Sequence, residues 1–230
     1  GIPFYSADTS SIYTTDVSGT DDTASGNSAY GYQALDAITT GDDNTAMGFG
    51  ALTANTTGQR NVAIGRKALL ANTTANYNIA VGFEALAANT TAADNIAIGK
   101  SAAAANTTGT RNITIGFEAY AASDTENDNL AIGYQAMTTN TAGGTLNVAI
   151  GNYALDALTS GDNNVAVGQN ALGANTTGNN NTGVGLSALV ANTTGGSNVA
   201  LGAVSLSTNT DGANNTGVGY AALKLNSTGA

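Results

Sequence analysis

Seven aromatic or cationic residues, Tyr32, Phe49, Arg66, Phe83, Lys100, Phe117 and Tyr134, follow one another at intervals of 17 residues. A chain that returns to the same place every 17 residues stacks these side chains in one column, where rings beside a guanidinium or an ammonium permit cation–π contacts. Such a column has two uses. Exposed, it can bind a glycan on a cell surface; packed on itself, it braces the fold or joins a contact between chains, and the brace is the plainer use. In the next column Lys67 and Glu84 fall on successive turns, so an exposed ion pair of at most about 1 kcal/mol is expected.

Other polar residues recur without converging. Thr39, Thr56, Thr73, Thr90, Thr107, Thr141, Thr159, Thr176, Thr193 and Thr210 share one position of the repeat. Evenly spaced Thr on a flat face is how an ice-binding surface is built. The second Thr of each T-T pair is the immediate neighbour, however, and adjacent side chains of a strand point to opposite faces, so two parallel ranks do not arise. Acidic residues gather at Asp42 and Asp43, from Asp124 to Asp128, and at Asp162, where a hard cation such as calcium could collect. No G-G-x-G-x-D loop accompanies them, and solvated turns account for them better. Ten N-x-S/T sequons occur, chiefly at N-T-T runs, as turn chemistry alone produces them in a chain so rich in Asn and Thr.

The 230 residues include no His, Cys or Trp, which excludes disulfides, thiol chemistry, Cys/His zinc sites and His-based triads. Ser, Lys and carboxylates occur at no spacing that repeats or converges on a pocket. No catalytic residue, metal ligand or cofactor is therefore expected. A net charge of −10 with only six basic residues argues against nucleic acid or an anionic membrane as partner. No run of 18 apolar residues exists to insert into a membrane, and Gly1 to Tyr5 lack the basic flank and apolar stretch of a signal peptide.

The elements that position these columns follow from one repeat. Gly recurs at 31, 48, 65, 82, 99, 116, 133, 151, 168, 185, 202 and 219, every spacing being 17 except one of 18. Four residues before each stands Asn: Asn27, Asn44, Asn61, Asn78, Asn95, Asn112, Asn129, Asn147, Asn164, Asn181, Asn198 and Asn215. Three residues after each stands Ala, with Ser205 the exception, and then usually Leu; the consensus is close to G-x-x-N-V-A-I-G-x-x-A-L-x-A-N-T-T. The period is too short for a helix pair. Alternation in N-V-A-I-G reads as a strand, Gly and N-T-T-G as breaks, and A-L as a second short strand. The expected fold is all-β, a parallel β-solenoid of about twelve 17-residue coils over residues 25–230, roughly 55 Å long at the interstrand spacing. Residues 1–24, with the only Pro (Pro3), lie outside the pattern and are expected to be an N-terminal cap or junction.

In this fold a buried Asn column satisfies itself, each amide donating to one neighbour and accepting from the other. The glycines sit where φ must be positive or where coils approach too closely for a Cβ. Ala supplies 43 residues but little area, so the core is thin. Val62 and Ile64 are expected to fill it, closed by Ala68. Leu69 and its equivalents either squeeze into that core or project as an apolar stripe, which association of identical chains around one axis would bury.

The N-V-A-I-G-x-x-A core, as in Asn61 to Ala68, Asn95 to Ala102 and Asn147 to Ala154, resembles the repeat of trimeric autotransporter adhesin heads. The longer form with A-L-x-A-N-T-T is similar to repeats of phage tail fibres and related bacterial surface fibres. The resemblance covers about residues 25–230. It implies a left-handed β-roll, a homotrimer and a structural or adhesive role in an extracellular or virion-surface fibre that meets a cell-surface glycan or protein receptor. The adhesin-head coil is shorter than 17 residues, so the N-T-T segment has no counterpart there. An ice-binding solenoid and a self-assembling extracellular matrix filament are the alternatives. Ending at Leu225 to Ala230, partway through a thirteenth coil, the chain is expected to be a fragment or processed product.

Overall fold

The computed structural model describes residues 12–13, 23–140 and 142–229, and these form an all-β parallel β-solenoid. Two compact units divide the chain, residues 1–111 and 112–230. The first holds β1 (Ile12–Tyr13), β2 (Ser28–Tyr30), β3 (Thr45–Met47), β4 (Val62–Ile64), β5 (Ile79–Val81) and β6 (Ile96–Ile98). The second holds β7 (Ile113–Ile115), β8 (Leu130–Ile132), β9 (Val148–Ile150), β10 (Val165–Val167), β11 (Thr182–Val184), β12 (Val199–Leu201) and β13 (Thr216–Val218). Within each unit every strand pairs in parallel with the next, at matching repeat positions, as Val62↔Ile79 and Ala63↔Ala80 do. Most of the expected cap or junction over residues 1–24, Pro3 included, lies outside the described residues. β1 lies within that segment and already pairs with β2, Tyr13 opposite Ala29.

Each turn is held by amides. In the first unit the Asn44 Oδ1 accepts from the Asn61 backbone N–H at 3.0 Å and from its Nδ2 at 3.1 Å. Asn44 Nδ2 in turn donates to Asn27 Oδ1 and to the Gly58 carbonyl. The same pattern recurs in the second unit from Asn147 to Asn164 and Asn181. A second buried column is made by the Asn of the N-T-T runs. Asn72 Nδ2 donates to Asn55 Oδ1 at 2.9 Å, and Asn192 does the same to Asn175. Both columns meet at one carbonyl per turn: Gly58 O accepts from Asn44 and from Asn55, at 2.9 Å each. Sequence reasoning treated these N-T-T asparagines only as turn formers.

Two expectations about the interior are corrected, and the two alternatives for Leu are decided. Ala63 is the buried residue of β4, and Val62 and Ile64 face outward. The pattern holds across the strands, Ala80, Ala97, Ala131, Ala149, Ala166 and Ala200 each lying inside. Leu52, Leu69, Leu86, Leu155, Leu172 and Leu189 are fully buried, so the interior takes the Leu and leaves no Leu stripe outside. The Ala-Leu segment is a corner rather than a second strand.

The reason is parity and width. With Asn buried, alternation places the residue two further on inside and its β-branched neighbours outside. Leu then points back across a gap that leaves room for a methyl group. A Cβ built on Gly183, at the Ala position, already lies 3.3 Å from Leu172 Cγ. Left-handed backbone aims Leu inward: φ is 58° at Gln33 and 53° at Leu35, and 61° at Lys67 and 50° at Leu69. Such residues cost on the order of 1 kcal/mol each. Their N–H groups find carbonyls of adjoining turns, Leu52 N–H to Ala68 at 3.0 Å and Lys67 N–H to Phe49 at 2.8 Å. Gly65 has a φ of 133°, and a Cβ there would overlap the Gly82 carbonyl, so only glycine fits.

The single 18-residue spacing is absorbed at one corner. Asn140 Nδ2 reaches the carbonyl of Gly144, four residues on, where Asn72 reaches that of Ala75, three on. The strands stay in register, Leu130 opposite Val148.

Asn164→Leu strips the Asn181 N–H of its buried acceptor, at about 1–3 kcal/mol, and leaves the Gly178 carbonyl with Asn175 alone. Urea unfolding is expected to show a loss of at least about 2 kcal/mol. Ala166→Val overpacks the interior at about 1–3 kcal/mol. Val165→Thr, on the half-buried outer face of the same strand, is expected to cost clearly less than Ala166→Val.

Candidate functional site

The aromatic and cationic column is formed in both units. Tyr32 and Phe49 stack with centroids 5.7 Å apart, and the Arg66 guanidinium lies between Phe49 and Phe83, 5.7 and 5.4 Å from their centroids. Lys100 occupies the same position one turn beyond Phe83 and is exposed. In the second unit Phe117 and Tyr134 stack at 5.2 Å, nearly parallel, and Tyr153 meets Tyr134 edge-on at 5.4 Å. Sequence reasoning missed Tyr153, which stands two residues after its Gly instead of one.

The stacked rings and the Arg66 guanidinium meet from rung to rung, while Tyr32 keeps 68% and Phe49 45% of its surface exposed. Each exposed cation–π contact contributes about 0.5–1 kcal/mol, so the column acts as a brace between turns. Lys67 and Glu84 sit 3.8 Å apart beside it, each about one third exposed. A second mixed column, also missed, runs through the residue preceding each ladder Asn. Arg60 Nε lies 3.6 Å from Asp43, and its guanidinium lies 5.5 Å from the Tyr77 ring centroid and donates to the Tyr77 hydroxyl. The sequence signal was present, since Asp43, Arg60 and Tyr77 are also 17 residues apart.

The hydroxyls of Thr39, Thr56, Thr73 and Thr90 in the first unit donate to carbonyls one turn on, at 3.0–3.3 Å. Thr159, Thr176, Thr193 and Thr210 do so in the second. Thr141 lies outside the described residues. The next Thr of each pair, such as Thr57 and Thr74, is exposed and forms a single rank.

In the acidic stretch Asp124 to Asp128, Glu126 turns inward. It accepts from the N–H groups of Asp124, Thr125 and Gly143, at 3.1 Å each, so its oxygens face donors rather than a cation. Among the described residues no three His, Cys, Asp or Glu side chains converge. Tyr120 replaces Leu in this turn, and its hydroxyl accepts from Asn129 Nδ2 at 2.7 Å and Asn140 Nδ2 at 3.4 Å. It supplies an oxygen where the second Asn column carries Ser123. Burial, and then the Glu126 carboxylate, raise the Tyr120 phenol well above its ordinary value.

The outer face of the strands is mainly apolar. The first and third residues of each strand point out, giving two columns of mainly Val and Ile on the sheet face of each unit. Ile64 and Ile98 are 36% and 39% exposed, and Met47 and Tyr30 about half. A charged or aromatic rim runs along both edges in the first unit, through Asp43, Arg60, Tyr77 and Asp94 on one side and Phe49, Arg66, Phe83 and Lys100 on the other.

Above about pH 10 the unfolded phenol of Tyr120 ionises while the buried one keeps its proton, so stability falls as pH rises. Tyr120→Phe is expected to reduce that slope between pH 9 and 11, as read by urea unfolding at about half-unit steps. No protein-family model, curated protein or solved structure matches this chain.

Proposed function

We propose that this chain is a structural and adhesive, non-catalytic segment of a homotrimeric fibre at the surface of a cell or virion. The observation that carries the reading is the uncovered strand face. Two adjacent outward columns, mainly Val and Ile with Ser28, Thr45, Thr182 and Thr216 among them, run along the strands of each unit, a regularity that folding of the single chain does not require. Contiguous exposed apolar surface of this kind marks an interaction site, and closed symmetry around one axis buries it without open growth. The strand face thus takes the role that sequence reasoning gave to the Leu column.

The attachment role is supported by the likeness of N-V-A-I-G-x-x-A to adhesin heads and of the longer repeat to tail fibres. The same likeness carries the left-handed winding and the location outside the cell. A uniform stack of turns supplies evenly spaced columns of side chains, which suits presentation to a receptor better than it suits a reaction.

Sedimentation equilibrium of residues 1–230 is expected to give three times the chain mass of 22.6 kDa. Ile64→Lys together with Ile98→Lys is expected to release monomers that keep the parent's far-ultraviolet spectrum. A monomeric parent ends the reading, and a trimer indifferent to both lysines moves the contact elsewhere.

A further inference from the structure

The strand face of the first unit is not uniform. In β4, β5 and β6 both outward residues are Val or Ile, whereas β2 carries Ser28 and Tyr30 and β3 carries Thr45 and Met47. Small residues in the first column beside large ones in the third leave a hollow of about 150 Å³, lined by Ile12, Ser28, Tyr30, Thr45, Met47 and the strand alanines. That volume accepts a six-membered ring.

Resting on the assembly reading above, we propose that the occupant of this hollow is Tyr30 of a second copy of the chain, the copies lying side by side, parallel and in register. The geometry follows from rotation about an axis along the stack of turns. Two faces related in this way set the first column of one copy against the third column of its neighbour, level by level. Ser28 then meets Tyr30, Thr45 meets Met47, Val62 meets Ile64 and Ile79 meets Val81, so each small residue faces a larger one or a near equal. The rims meet in the same sense: Asp94, exposed beside β6, faces Lys100 of the next copy. Arg60 and Arg66 also share a level, and each is engaged along its own column, Arg60 with Asp43 and Tyr77, Arg66 between Phe49 and Phe83. Antiparallel copies instead bring every column against itself. Reversed about the level of Phe83, the rims balance, Arg66 meeting Lys100 on one and Arg60 meeting Asp94 on the other, but the hollow loses its Tyr.

A swap of knob and hole tests this. Ser28→Tyr fills the hollow and Tyr30→Ser removes its occupant, and each is expected to weaken association at least about tenfold by sedimentation. The double variant exchanges the two roles at one level and is expected to restore association to within about threefold of the parent. Both positions are exposed, so thermal unfolding of dilute protein should match the parent for all three.

The absence of cysteine gives a second reading. A disulfide needs Cα atoms within about 7 Å, and Asp94 and Lys100 of one chain are separated by a strand and its flanks, about 15 Å or more. Oxidised Asp94→Cys/Lys100→Cys is therefore expected to run as a covalent oligomer, and Asp94→Cys alone as a single chain. Crosslinking by Asp94→Cys alone, or assembly that ignores the Ser28 and Tyr30 variants, overturns the parallel register while leaving the fibre reading intact. A parent that stays monomeric overturns both.

Discussion

The buried asparagine amide is the constraint from which the rest of this structure follows. A solenoid this narrow encloses backbone groups that no water reaches, and each needs a partner. One Oδ1 that accepts from both the backbone and the side chain of the next turn, as Asn44 does from Asn61, satisfies two donors at once. The amide is the right group because it donates and accepts in one plane; a carboxylate would repel its copy one turn away, and a hydroxyl is too short to reach. Gly58, whose carbonyl receives one amide from each column, ties the two edges of the turn together. Spacing between turns is therefore set by hydrogen-bond length rather than by side-chain bulk.

Width is the second consequence. An interior held at amide distance has room for Leu69 from one side and for Ala63 from the other, and for little else. At the strand positions beside Ala63, Val62 and Ile64 lie outside, so the strand that would normally carry a hydrophobic core displays it. This inversion connects packing to function. The surface most in need of cover is created by the same rule that makes the interior self-sufficient.

Much of this was legible in the residues. The 17-residue period gave the number of turns, the parallel pairing and the vertical alignment that brings Lys67 to Glu84 and Arg66 between two rings. Which way the strand faces was not read correctly, because hydrophobicity favours Val62 and Ile64 inside and says nothing of the space available. The missing signal was variance. From Ala29 to Gly217 the column of Ala63 holds only Ala, Gly and Thr, while the columns beside it admit Ser28, Tyr30 and Met47. A confined site tolerates no such range. The left-handed corners at Lys67 and Leu69 were invisible for another reason: neither residue type favours that conformation, and only contact with neighbouring turns holds it.

Most side-chain hydrogen bonds that join turns link residues 17 positions apart, and the largest remaining group links residues 14 apart. Closing one more turn on a formed neighbour thus carries the same modest entropic penalty wherever it occurs, since that penalty depends on the loop and not on the length of chain already folded. Growth of either unit is then a zipper whose difficult step is the first pair of turns, and its speed should be indifferent to the number of repeats. Pulled from one end, such a stack would surrender its turns singly, each release lengthening the chain by the same increment.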